Sequence, residues 1–249
     1  MKPRLPCPGR SLLAFLAAGC LLCDQLCAAD DLPGLCAPCR DSLPLNRAAC
    51  TRCAEPCCAQ GQDPPEDRIC AHCRTAPPPF THTLAPLLYQ GYPKIWVRRL
   101  KSRFGLVEGR LLGELLGAAA RLAVAEQRMP RPDLVLPVPL APLRLVHRGH
   151  NQALPLAGAV ARHLGVPLTR HGARRLRRTP SQQTLRRSAR LTNLQRAFAS
   201  RAWHGERIGI VDDVMTTGAT AAALATALLD AGAGEVVVLC ATRTPDRPR

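Results

Sequence analysis

The sequence predicts an α/β protein, a doubly wound parallel sheet behind a small cysteine-rich domain, and three observations carry that prediction. Twelve of the thirteen cysteines precede residue 74. From Phe80 onward, short apolar runs alternate with Ala/Leu-rich stretches of helical length, the pattern of parallel strands joined by crossover helices. One of those runs ends in two adjacent aspartates and a Thr/Gly turn. The 249 residues suffice for one medium domain and one small one. No stretch reaches ~18 uninterrupted apolar residues, which excludes a multi-span membrane protein. A hydrophobic share of 47% is too high for a mainly disordered chain, while 24 Pro and 18 Gly imply many turns.

The cysteine-rich segment, residues 1–76, comes first. Eight of its cysteines form four pairs of one spacing: Cys20-x-x-Cys23, Cys36-x-x-Cys39, Cys50-x-x-Cys53 and Cys70-x-x-Cys73. Two residues between cysteines let a tight knuckle aim both thiolates at one ion, and two knuckles complete a tetrahedral zinc site. Taken in order the pairs give two ribbons with internal gaps of 12 and 16 residues, hence about two zinc ions; an interleaved pairing satisfies the spacing equally well. Cys7, Cys27, Cys57, Cys58 and Cys240 fit no pair and read as buried or free thiols. Ahead of the ribbons, Lys2, Arg4 and Arg10 precede the apolar run Ser11 to Leu22, and Leu16-Ala-Ala-Gly-Cys20 resembles a lipoprotein cleavage box. That reading would export the chain and remove Cys20 from its knuckle. The four equal pairs favour a cytoplasmic metal domain instead, since an oxidising compartment would consume the thiols.

Pro77-Pro78-Pro79 punctuates the boundary, and residues 80–249 form the second domain. A helix is expected from about Leu106 to Gln127. Asp133-Leu-Val-Leu-Pro-Val-Pro139 reads as a buried strand closing in a proline turn, and a second helix covers roughly Asn151 to Leu164. Arg207 to Val211 is a further strand, followed by a polar loop and a helix from Ala219 to Ala231. Gly232 and Gly234 end that helix, and Glu235 to Ala241 supplies another strand.

Charge is concentrated rather than spread. Lys+Arg 34 against Asp+Glu 18 gives +16, and with lysine only at 2, 94 and 101 the excess is almost wholly arginine. Part of that bias can reflect base composition. From Leu134 to Gly205, however, thirteen arginines occur without one acid, eight of them between Arg170 and Arg190. Such a block calls for an anionic partner: phosphate, pyrophosphate or nucleic acid. An aromatic share of 3% argues against single-strand binding that relies mainly on stacking.

The sharpest motif is Ile208-Gly-Ile-Val-Asp212-Asp213-Val214-Met215-Thr216-Thr217-Gly218-Ala219-Thr220. A buried strand delivers two carboxylates at its carboxyl end, where open α/β sheets bind ligands. The turn that follows opens a helix, whose free N–H groups and hydroxyls suit a phosphate monoester. The Asp pair suits vicinal ribose hydroxyls or a hydrated Mg²⁺. This string resembles the phosphoribosyl-pyrophosphate (PRPP) motif of type I phosphoribosyltransferases. Two further strings, Arg148-Gly149-His150-Asn151-Gln152-Ala153 and Thr179-Pro-Ser-Gln182-Gln-Thr-Leu185 continuing through Arg190 and Asn193 to Phe198, complete a likeness to the ComF family over residues 18–243. His150, Thr184, Ala189 and Ser102 depart from that family's usual residues.

The resemblance implies a double zinc ribbon on a phosphoribosyltransferase-type sheet, and a place in DNA uptake during natural transformation. It implies that Arg148 and Gln152 face the pyrophosphate side of the pocket, and that Gln182 and Arg190 belong to a hood over it. Asn151 and Gln152 can equally cap the following helix, and His147, His150, His163 and His171 read as surface or packing residues. Three functions are then expected to compete. The chain handles single-stranded DNA, with PRPP or a related ribose phosphate in its pocket; or it is a phosphoribosyltransferase using PRPP and Mg on an unknown acceptor; or it is a PRPP-sensing interaction module. DNA-uptake proteins are implied partners, with no integral membrane association.

Overall fold

The computed structural model describes residues 19–28, 31–32, 34–57, 68–102, 105–176 and 197–245. Each cysteine ribbon is built on two knuckles. The second knuckle of each runs into a one-turn helix, α1 (Ala37–Asp41) after Cys36 and α2 (Ala71–Thr75) after Cys70. In the second ribbon Ala54 N donates to Cys50 O and Cys50 N to Glu55 O, both at 2.8 Å, so the backbone folds around the thiols.

Behind the ribbons lies a parallel sheet in the order β1-β7-β6-β3, formed by β1 (His82–Leu84), β3 (Leu134–Pro137), β6 (Arg207–Met215) and β7 (Glu235–Arg243). A short β2 (Leu87–Leu88) pairs further along β7. The two long strands run beyond their expected ends at Val211 and Ala241. Asp212, Val214 and Met215 stay paired with Cys240, Thr242 and Arg243, so the ladder carries the acidic pair to the carboxyl end of the sheet. β3 is shorter than expected: Pro137 still pairs with Val211 and Val138 N donates to Val211 O at 2.9 Å, but Pro139 has no N–H with which to continue the ladder.

Helices cover both faces, as a doubly wound sheet requires. On one side α3 (Gly91–Leu100), α4 (Leu106–Ala125) and α6 (Ala153–Leu164) bury Leu111, Leu112, Leu116, Leu156 and Val160 against Val135, Val211 and Leu239. On the other, α7 (Ala219–Asp230) buries Leu224, Ala225 and Leu228 against Ile208, Ile210, Val236 and Val238. α4 ends at Ala125 rather than Gln127, where the backbone turns left-handed (φ +56°). α6 starts at Ala153 because the Asn151 side chain accepts the Ala153 N–H at 3.0 Å and donates to Val138 O.

Eight elements were not expected from the sequence: the short α1, α2, β1 and β2, then α3, α5 (Pro142–Arg148), and the antiparallel pair β4 (Ala173–Arg175) and β5 (Phe198–Ser200). The last pair joins the two ends of the arginine-rich stretch, closing with a Leu176 N–Ala197 O bond of 2.8 Å.

The ribbons share the sheet's core. Cys20, Leu35 and Leu43 belong to the apolar cluster under α4 and α6, while Ala54 belongs to the cluster under α7. The chain between the ribbons runs beside β2, with Leu88 N donating to Pro44 O and Asn46 N to Pro86 O, and so covers an edge that would otherwise stand open.

Candidate functional site

The cavity at the carboxyl end of the sheet encloses about 250 Å³. Four elements build it. β6 brings Asp212 and Asp213; the Val138-Pro139-Leu140 turn after β3 forms a wall; the Thr216–Thr220 turn opens α7; and Arg148 with Gln152 comes from the α5–α6 junction. All nine residues from Asp212 to Thr220 that the sequence singles out line this one space.

The turn is shaped for an anion. Gly218 adopts φ +74°, and a Cβ there would stand 2.7 Å from the Met215 Cε. α7 begins at the next residue, so its first N–H groups lack intrahelical acceptors; the Ala219 N–H donates to Thr217 Oγ1 at 3.4 Å, and Ala219, Thr220 and Ala221 line the cavity at the positive end of the helix dipole. Thr216 and Thr217 are exposed there, and their hydroxyl protons can be donated to the same ligand.

Opposite charge arrives from elements distant in sequence. Lys101, at the end of α3, pairs with Asp213 Oδ2 at 3.0 Å, and Arg175 reaches the cavity from β4. Neither was expected. Lys101 lies 112 residues from its partner (213 − 101), a separation no local motif reveals. Burial, and then the adjoining Asp213 carboxylate, pushes the Asp212 carboxyl well above the usual range, with Lys101 opposing. Asp212 Oδ1 accepts the Asp213 N–H at 2.9 Å. Two carboxylates this close favour a cation between them and the ligand.

Arg148 also lines the cavity, and its Nη1 donates to Gln152 Oε1 at 3.1 Å. Gln152, 5% exposed, therefore orients the guanidinium, while capping of α6 falls to Asn151. His150 lies between Arg148 O and Leu100 O at 3.1 Å each and ties the junction to α3. His163 packs against Glu114 at 2.8 Å. Both are packing roles. Gln182 and Arg190 lie outside the described residues, as do Cys7, Cys58 and most of the apolar run before Cys20.

The cysteine pairs associate in sequential order. The thiol sulfurs of Cys20, Cys23, Cys36 and Cys39 lie within 4.8 Å of one another, as do those of Cys50, Cys53, Cys70 and Cys73. Across the knuckles, the Cys23–Cys36 and Cys53–Cys70 sulfurs stand 3.6 and 3.7 Å apart. The interleaved pairing is thereby replaced by two separate clusters. Donation from Cys53 holds the Cys50 thiol down to about 4, and the same contact pushes Cys53 up. Four soft thiols at this spacing fit one tetrahedral divalent ion, which lets all of them ionise together. Cys20 sits in such a cluster, the position that lipidation would deny it. Among the described residues no helix is long and apolar enough to cross a membrane.

No protein-family model matches the chain. Curated relatives do. A DNA utilization protein YhgH of Salmonella typhi is 33% identical over 224 residues, 86% of this chain and 98% of that one. The Escherichia coli K12 protein of the same name is 31% identical over 85% of this chain and 91% of its own. Competence protein F of Haemophilus influenzae is 32% identical over 161 residues, 63% of this chain and 68% of that one. Similar solved structures include an allosteric regulatory enzyme of purine biosynthesis (TM-score 0.35, 22% identity, 53% of this chain and 26% of that one). A purine phosphoribosyltransferase from Pyrococcus horikoshii overlaps 52% of this chain and 70% of its own at TM-score 0.31 and 20% identity.

Proposed function

Since the chain belongs to the ComF family, with YhgH and competence protein F among its relatives, we propose that it handles single-stranded DNA in the cytoplasm during DNA uptake, using a pocket for PRPP or a related ribose phosphate. One observation carries this reading. The anion-shaped turn and the carboxylate pair share a cavity with Lys101, Arg148 and Arg175, and Arg175 belongs to β4, which pairs with β5 at the two ends of the arginine-rich stretch.

In this reading the Thr216–Thr220 turn binds the sugar's phosphate through its N–H groups and hydroxyls. Asp212 and Asp213 hold the ribose hydroxyls, directly or through Mg²⁺, which when bound supplies charge neutralisation for a pyrophosphate. Arg148, fixed by Gln152, and Arg175 face that pyrophosphate, and Gln182 and Arg190 are assigned to the same ligand. Two zinc ions hold the ribbons, one in each thiol cluster. The other arginines of the acid-free stretch, Arg174, Arg177 and Arg178 among them, bind DNA phosphates, and DNA-uptake proteins are its working partners.

Two measurements on zinc-loaded protein test this. Titration with PRPP and Mg²⁺ should show saturable binding that Asp213→Ala or Thr217→Ala abolishes without unfolding the chain. Log affinity for single-stranded DNA should fall with log salt at about −0.7 per phosphate contacted. Reversing charge at Arg174, Arg175, Arg177 and Arg178 together should flatten that slope whatever the base sequence. Absence of single-strand binding at low salt would overturn the DNA reading, and release of pyrophosphate would put a transferase in its place.

A further inference from the structure

One buried arginine touches both the second thiol cluster and the phosphate turn. Arg243 closes β7, 4% exposed, in register with Met215. Its Nε donates to Cys53 O at 3.1 Å, and its Nη2 pairs with the Glu55 carboxylate. Its Nη1 donates to Met215 O at 3.3 Å, and to the carbonyls of Thr216 and Thr244. The planar fork thus clamps the Cys50–Glu55 knuckle on one side and the first residues of the turn on the other. A guanidinium withdrawn from water holds its partners firmly, because any one left unpaired in a buried setting is costly. A second link runs beside the first: Ala54, inside the knuckle, shares an apolar cluster with Met215, whose methyl lies under Gly218. The first thiol cluster packs on the opposite face, in the apolar cluster under α4 and α6.

We propose that Arg243 is a positioning residue that couples ion occupancy of the Cys50–Cys53–Cys70–Cys73 cluster to the geometry of the Thr216–Thr220 turn. An ion on Cys50 and Cys53 fixes the Cys53 carbonyl and Glu55, which fix the guanidinium, which fixes the Met215 and Thr216 carbonyls and with them the direction of the N–H groups beyond. Such coupling is reciprocal: a phosphate ligand that orders the turn must tighten the second ion. The proposal rests on the cavity being a phosphate site, and its test separates the two claims.

In zinc-loaded full-length protein, thiol labelling read by mass spectrometry distinguishes the clusters. PRPP with Mg²⁺ should slow labelling of the Cys50–Cys73 set by about tenfold, within the usual range of coupling factors, and leave the Cys20–Cys39 set unchanged. In Arg243→Lys, whose single ammonium cannot span both sides, that protection should vanish and the Met215–Thr220 amides should exchange faster. Protection that persists in Arg243→Lys, or falls equally on both clusters, overturns the coupling. Should wild-type protein bind no PRPP, the cavity reading fails and amide exchange alone judges the coupling: Cys70→Ser must speed exchange of the turn in wild type and add nothing in Arg243→Lys. If Arg243→Lys does not fold, Glu55→Gln, which leaves the carbonyl contacts in place, should show the same changes in smaller measure.

Discussion

Asp212 is held in the folded chain at a cost that its neighbours reveal. Burial and the Asp213 carboxylate raise its folded pKa, so over the window above an ordinary aspartate's value the folded state holds a proton that the unfolded chain has released. Stability therefore falls as pH rises through that window. Asp212→Asn keeps the Oδ1 acceptor for the Asp213 N–H and removes the penalty. At pH 7–8 without ligand its melting temperature should rise by about 2–4 °C, the response of a chain this size to ~1 kcal/mol, while PRPP binding is lost. Below pH 4 the gain should disappear; a gain that persisted there, followed by calorimetry across pH, would refute this account. The acidic pair was legible in the sequence because strand, carboxylates and turn are contiguous. Lys101, Arg175 and Arg243 were not. Each is an ordinary basic residue in an arginine-rich chain, brought to the site by the end of a different element.

Between elements, the contact of α4 with α6 depends on small residues. Gly113 faces Ala159, where an added Cβ would stand 3.0 Å from the Ala159 methyl, and a Cβ at Gly117 would meet the His163 ring at 2.4 Å. That ring is held by Glu114 at 2.8 Å and cannot simply swing away. Gly117→Ala should therefore destabilise by about 1–3 kcal/mol through overpacking. Gly158, in α6, has nothing within 4 Å of an added Cβ, so Gly158→Ala should stabilise by about 0.5–1 kcal/mol from helix propensity alone. Denaturant unfolding of the two variants, expected to move in opposite directions, checks the packing. The long helices were legible from apolar periodicity and the long strands from their apolar runs. The three-residue strands β1, β4 and β5 are too short to carry a period, and α5 hides behind Pro139 and Pro142.

At the scale of the molecule, the cysteine-rich segment and the sheet read as two domains in sequence, yet their side chains mix in both apolar clusters. Removing the metal should consequently not melt a separate ribbon and leave the sheet untouched. Chelation should lower the melting temperature of the whole chain in one transition, with the tryptophans Trp96 and Trp203, one in each apolar cluster, reporting the same midpoint. Two resolved transitions, with a sheet of unchanged stability, would contradict this. The sequence shows where cysteines stop and helices begin, but composition changes at residue 76 without telling which surfaces meet.

The β4–β5 clasp sets a limit of reach. Because Arg175 and Phe198 are neighbours in register, both ends of the chain between them start from one point, and no residue of it can reach farther from the clasp than half its extended length. Eleven residues lie on either side of such a midpoint, (197 − 176 + 1)/2, which at ~3.3–3.6 Å per extended residue bounds the excursion at roughly 36–40 Å. If single-stranded DNA is the partner proposed above, the six arginines of this segment would meet it only within that span of the clasp. In that reading, lengthening or shortening the segment between β4 and β5 would rescale the footprint on the polymer without changing the residues that line the pocket.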